Sequence, residues 1–192
     1  LVLIVLMLLT IGLLMISSAT QNSIDPDLAN AARRQGLYAL IGVIVLILTA
    51  AIDYRIWYNA RHVLYVMALL FLVITLIFGS GEIGGVGRWL DLSIFPVQPS
   101  ELAKVLLVLA LAGLLANRTD SIRTLRTTVL SLIYIAIPAL LVFLQPNLST
   151  AMVYLFIWLA MIIAAGVRGR NLAIIGGVGL LTLPIVWLAM AQ

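Results

Sequence analysis

The sequence predicts an all-α polytopic transmembrane helix bundle of about seven spans, with the N-terminus inside. Three observations carry this. The 192 residues are 64% hydrophobic and 9% charged, with a mean hydropathy of +1.23, a composition that belongs to membrane proteins. The apolar residues fall into runs close to the roughly 20 needed to cross the hydrocarbon. The arginines concentrate in alternate loops, as cytoplasmic loops require.

The spans are Leu1–Ala19, Gln35–Ile52, Val63–Gly79, Pro99–Ala116, Thr127–Leu144, Leu148–Ala165 and Leu172–Met190. The first starts apolar and without Met. It lacks the basic start and small-residue cleavage site of a signal peptide, so it reads as a trimmed membrane helix. Arg34 and Gln35 open the second span as interfacial anchors. The connection Gln145–Asn147 is short enough to be a tight turn; its Gln145 and Asn147 also suit a cavity for a polar head group. The loops "DYRIWYNARH", "NRTDSIRTLR" and "GVRGRN" hold seven arginines, and the alternate set holds Arg33, Arg34 and Arg88. The first set is therefore inside, and the stretch Ser80–Gln98 lies at the outer surface. Residues 1–192 read as one transmembrane helical domain.

The composition also excludes chemistry. Without cysteine there is no disulfide or thiol reaction, and one histidine, His62, excludes a His-based metal site. The formal charge of +4 is an orientation signal and not a nucleic-acid footprint. "GSGEIG" at Gly79–Gly84 matches G-x-G-x-x-G, but no βαβ unit surrounds it, so it is a loop.

Glu101 and Lys104 are the charges inside a span. Three residues apart, they share a helix face and can pair. Helix-start chemistry accounts for Pro99, Ser100 and Glu101. It does not account for Lys104, one turn deeper, where a charge costs roughly 2.5–3.5 kcal/mol on insertion scales and usually lines a cavity. Interfacial capping and a cavity-lining pair both remain open. Arg88 and Trp89 suit an interfacial anchor or a guanidinium offered to a phosphate or carboxylate.

Taken together these stretches resemble the SEDS family, the RodA/FtsW/SpoVE group of bacterial cell-wall proteins. The resemblance rests first on "RWLDLSIFPVQPSELAK" at Arg88–Lys104. "GLLMISSAT", "ARRQGLYALIG", "IDYRIW" and "LQPNLSTA" extend it in order along nearly the whole chain. "RWLDL" and the compact loops lean toward the RodA side. Ser93 and Ser149 stand where Gly is usual, and Asn147 where Asp is usual; the last keeps hydrogen bonding but loses a charge.

The resemblance implies a peptidoglycan glycosyltransferase of ten spans in the bacterial cytoplasmic membrane, polymerising lipid II during cell elongation or division. It implies a class B penicillin-binding protein as transpeptidase partner, membrane lipid around the bundle, and a divalent cation (Mg or Mn) in the complete enzyme. The expected general base is an Asp of a large outer loop beyond Gln192. No catalytic residue is therefore expected within 1–192, and this stretch alone is expected to be inactive. What carries over is a head-group cavity formed by Arg34, Arg88, Trp89, Gln98, Glu101, Lys104 and Asn147. Two other readings fit the same hydropathy: a lipid II flippase, against which the lack of an evident inverted repeat counts, and a non-catalytic scaffold for a cell-wall synthase.

Overall fold

In a computed structural model the chain is a helix bundle, described here over residues 2–21, 30–78, 90–91 and 96–190, with side chains described over 2–21, 30–78 and 98–179. The helices are α1 (Val2–Thr20), α2 (Ala31–Ala51), α3 (Tyr54–Asn59), α4 (Arg61–Phe78), α5 (Pro99–Ala116), α6 (Leu125–Leu144), α7 (Leu148–Ala164) and α8 (Gly169–Met190). Among the described residues, α1, α2, α4, α5 and α6 are long and apolar enough to cross a membrane. The apolar helix α7 has 17 residues and α8 has 22. All seven expected spans coincide with helices. The difference lies between the second and third, where "DYRIWYNARH" forms the short helix α3 as well as a loop.

The chain divides into two compact units, Leu1–Asp53 and Tyr54–Gln192. In the first, α1 packs on α2. Their threonines turn inward on the backbone, with Thr10 Oγ1 donating to Leu6 O at 2.8 Å and Thr49 Oγ1 to Val45 O at 2.8 Å. A hydroxyl in hydrocarbon has no water partner, so its own helix supplies one.

The second unit has the core. Four helices each contribute a row spaced by about one turn: Ala68 and Leu72 from α4, Ala103, Leu107 and Leu111 from α5, Ile135, Ala139 and Val142 from α6, Tyr154, Trp158 and Ile162 from α7. Such i, i+4 rows are the ridges by which helices pack. The outward positions are apolar too, with Val105, Phe143 and Phe156 exposed, as a lipid solvent requires. A small antiparallel ladder, β1 (Leu90–Asp91) with β2 (Pro96–Val97), precedes α5, pairing Leu90 with Val97 and Asp91 with Pro96.

Buried polar contacts hold the helices in register. Trp158 Nε1 donates to Ser131 Oγ at 3.0 Å, and Asn171 Nδ2 to Thr128 Oγ1 at 3.3 Å and to Arg123 O at 3.1 Å. These bonds join α6 to α7 and to the start of α8; in membranes each is worth about 0.6 to 2 kcal/mol. Gln145 Nε2 donates to Leu72 O at 2.8 Å, tying the end of α6 to α4.

Pro138 lies inside α6 and has no N–H, which deprives the carbonyl of Tyr134 of its helical donor. Tyr65 of α4 supplies the replacement: its hydroxyl donates to Tyr134 O at 2.9 Å, with the two rings stacked at 3.8 Å. Tyr65→Phe keeps the stack and orphans the carbonyl. It is expected to lower stability by about 1–3 kcal/mol, read from unfolding in detergent.

The end of α7 is set by Gly166. Its φ of +88° lies in the left-handed region. Gly166 N donates to Ile163 O at 3.0 Å and Val167 N to Ile162 O at 3.3 Å, the paired bonds of a Schellman terminus. A side chain is disfavoured at that φ, so Gly166→Ala should cost about 1–2 kcal/mol in the same measurement.

These contacts sort the loops of the second unit by end. Asn171 and Arg123 meet at one end, where Tyr58 Oη also donates to Asn117 Oδ1 at 3.3 Å. Arg61, Arg118, Arg126, Arg168 and Arg170 belong to the termini at that end. Gln98, Gln145 and Asn147 belong to the opposite end.

Candidate functional site

The opposite end carries most of the polar residues singled out in the sequence. Gln98 precedes α5 with extended backbone (φ −98°, ψ 101°), Pro99 opens the helix, and Glu101 N donates to Gln98 O at 3.0 Å. Proline suits this place because the first helical N–H groups lack partners anyway. The buried Ser100 carbonyl accepts a bond of 2.9 Å from Tyr154 Oη. That contact fixes the first turn of α5 against α7.

On this fixed turn Glu101 and Lys104 form an ion pair, with Nζ 2.8 Å from Oε1 and 2.7 Å from Oε2. Lys104 is 23% exposed and Glu101 54% exposed. An ammonium has three donors, so Lys104 can hold its carboxylate and still present N–H to an anion. A carboxylate in the first turn is favoured by the helix dipole. The dipole gives no corresponding reason for a cation at this end.

Asn147 is buried before α7, where its Oδ1 accepts from Thr150 N at 3.2 Å. It therefore acts first as a helix cap, leaving its NH2 group for any further contact. Gln98, Glu101, Lys104 and Asn147 thus share one end of the second unit. Arg34 lies in the first turn of α2, in the other unit, where its backbone N donates to Asn30 O at 3.0 Å. Arg88 and Trp89 lie outside the described residues, as does the Gly79–Gly84 loop. Among the described residues no three His, Asp or Glu side chains gather to hold a metal.

Two side chains that build this end were not singled out by sequence as its supports. Tyr154 carries its signal in retrospect, since a phenol inside a span must find a polar partner. Gln145 suited a head-group cavity on sequence; its side chain is buried against Leu72 O instead.

With this geometry in hand, comparison with known proteins identifies the kind of molecule. The family model for the cell cycle proteins FtsW, RodA and SpoVE matches residues 1–192. Among curated relatives, stage V sporulation protein E of Bacillus subtilis is 34% identical over 185 residues, covering 94% of this chain and 50% of its own. A probable peptidoglycan glycosyltransferase FtsW of Trichlorobacter lovleyi is 31% identical over 191 residues, covering 97% and 49%. The chain spans about half the length of the curated relatives it matches. Among solved structures, a chain of a peptidoglycan synthase complex that coordinates polymerization and crosslinking superposes with a TM-score of 0.77 at 27% identity, covering 98% of this chain and 54% of that one. The rod shape determining protein RodA of Thermus thermophilus gives 0.69 at 26%, covering 94% and 57%. A match along the whole chain, with the same helix-bundle fold, makes this chain a member of the FtsW/RodA/SpoVE (SEDS) family, multi-pass proteins of the bacterial cytoplasmic membrane.

Proposed function

We propose that this chain contributes the N-terminal membrane part of a glycosyltransferase that polymerises lipid II. The observation that supports it most is the family match over residues 1–192, together with relatives named peptidoglycan glycosyltransferase. In the reaction an acceptor sugar hydroxyl attacks the donor anomeric carbon. The C–O bond to the undecaprenyl pyrophosphate breaks, and the hydroxyl proton passes to a base. We assign none of residues 1–192 to that base, whose contribution is typically about 10²–10⁴-fold. A divalent cation held elsewhere in the complete enzyme would help the pyrophosphate leave.

The role given to this chain is binding. Lys104, steadied by Glu101, offers N–H to the pyrophosphate. Arg88 offers a guanidinium that can grip it in bidentate fashion. Gln98 and Asn147 border the head group, and the resemblance to the family signature would add Trp89. The arginine-rich end faces the cytoplasm, so this rim faces outward, where the polymer is made. A class B penicillin-binding protein is the transpeptidase partner in this reading, supported by the synthase complex to which the chain is similar. A role in elongation is supported by "RWLDL" at Arg88–Leu92 and the compact loops.

The experiment is glycan synthesis from lipid II by purified full-length protein in detergent, with and without its transpeptidase. Polymer without a sealed bilayer is the expected result. Transport of lipid II across vesicles with no polymer in either case would replace the enzyme by a flippase.

A further inference from the structure

A groove of about 400 Å³ runs between α3 and α5 at the arginine-rich end. Its floor on α5 is Ala112, Gly113 and Ala116, residues with no side chain beyond Cβ. Its walls are Leu109 on α5 and Trp57 and Tyr58 on α3, and Tyr54 and Arg55 complete the lining.

Arg61 fixes the spacing of this floor. It packs so closely across Gly113 that an added Cβ there would lie 2.8 Å from Arg61 Cβ. Its guanidinium turns toward α3, 4.7 Å from the centre of the Tyr58 ring, with Nη1 donating to Tyr58 O at 3.1 Å. Tyr58 Oη in turn reaches Asn117 Oδ1 at 3.3 Å. The short aromatic helix is thereby anchored to α4 through Arg61 and to the end of α5 through Asn117, and Ala112 and Ala116 of the small-residue floor beside it remain exposed.

Three chemical properties coincide here. The floor and walls are apolar, Trp57 and Tyr58 are of the kind that sits at head-group level, and the end of the bundle is cationic. We propose that this groove binds one acyl chain of an anionic glycerophospholipid, with the phosphate at Arg55. Charge selects this occupant. The inner leaflet is rich in anionic lipid, which attracts basic residues at the membrane surface, whereas a partner's membrane helix has no need of a cation beside an apolar slot. The proposal does not depend on the polymerase reading.

The test is native mass spectrometry of the full-length protein in detergent, titrated with phosphatidylglycerol or with phosphatidylcholine of the same acyl chains. Phosphatidylglycerol should be retained about fivefold better, and Arg55→Gln should remove that preference without changing phosphatidylcholine retention. Leu109→Trp, which fills the slot, should release both lipids. Arg55 is exposed on a short helix, so its variant decides the matter if the tryptophan variant does not fold. Equal retention of the two lipids by wild type, or undiminished phosphatidylglycerol retention in Arg55→Gln, overturns the proposal. So does a photo-crosslinking residue at position 112 that captures protein in place of lipid.

Discussion

Lys104→Ala is expected to lower lipid II polymerisation by the full-length protein about a hundredfold or more, the scale of a misplaced substrate group, with little change in stability. The two halves of this expectation come from different physics. An i, i+3 pair with one partner more than half exposed is worth under about 1 kcal/mol to the fold. The lysine sits one turn inside the helix, at the end where the dipole favours acids. Stability gives it no reason to be there; the proposed contact with a pyrophosphate would. Glu101→Ala should follow the same pattern, because Lys104 then loses the carboxylate that aims it. Polymer yield and detergent unfolding, measured on the same samples, separate the two effects. A loss of both together would make the pair a structural helix-start feature.

Gly113→Leu is expected to have the largest effect on folding, about 3 kcal/mol or more, at the upper end of overpacking costs. A Cβ at this position would lie 2.8 Å from Arg61 Cβ and 2.9 Å from Arg61 Cδ. The nearer atom is fixed to the backbone of α4, so rotation of the arginine cannot relieve the clash and α4 must move from α5. That movement breaks the packing of Ala68 and Leu72 on Ala103 and Leu107, as well as the Tyr58 contacts. Unfolding in detergent should show the shift. Gly176→Leu, at a position with open space around it, should show much less.

How far the fold could be read follows from which forces act alone. Hydrocarbon thickness and the need to satisfy the backbone within each helix make a span visible as an apolar run. Pro99 likewise marked the start of α5 at the residue where it begins. Helix α3 was not legible, because Tyr54–Asn59 is polar enough to read as loop and takes its place through Tyr58, Arg61 and Asn117. The pairing of Tyr65 with the carbonyl freed by Pro138 was not legible either. A proline announces the orphaned carbonyl, but only the fold says which neighbour answers it.

The candidate site divides in the same way. Spacing was sufficient to pair Glu101 with Lys104, because the partners lie on one helix. It was not sufficient for Tyr154, whose partner Ser100 is 54 residues away, or for Asn147, whose capping bond to Thr150 depends on where α7 starts. Arg88 and Trp89 lie outside the described residues, and their place at the rim rests on their resemblance to the family signature.

In the proposed role, the outer start of α5 presents a cation to the lipid head group at position 104. Its most direct test exchanges the pair, Glu101→Lys with Lys104→Glu, in the full-length protein. The exchange keeps an i, i+3 ion pair and costs about a few tenths of a kcal/mol to 1 kcal/mol through the helix dipole, but it moves the cation by one turn. The expected result is a folded protein that makes little or no glycan from lipid II. Wild-type polymer from the exchanged pair would contradict it, leaving Glu101 and Lys104 as an ion pair that merely starts a helix.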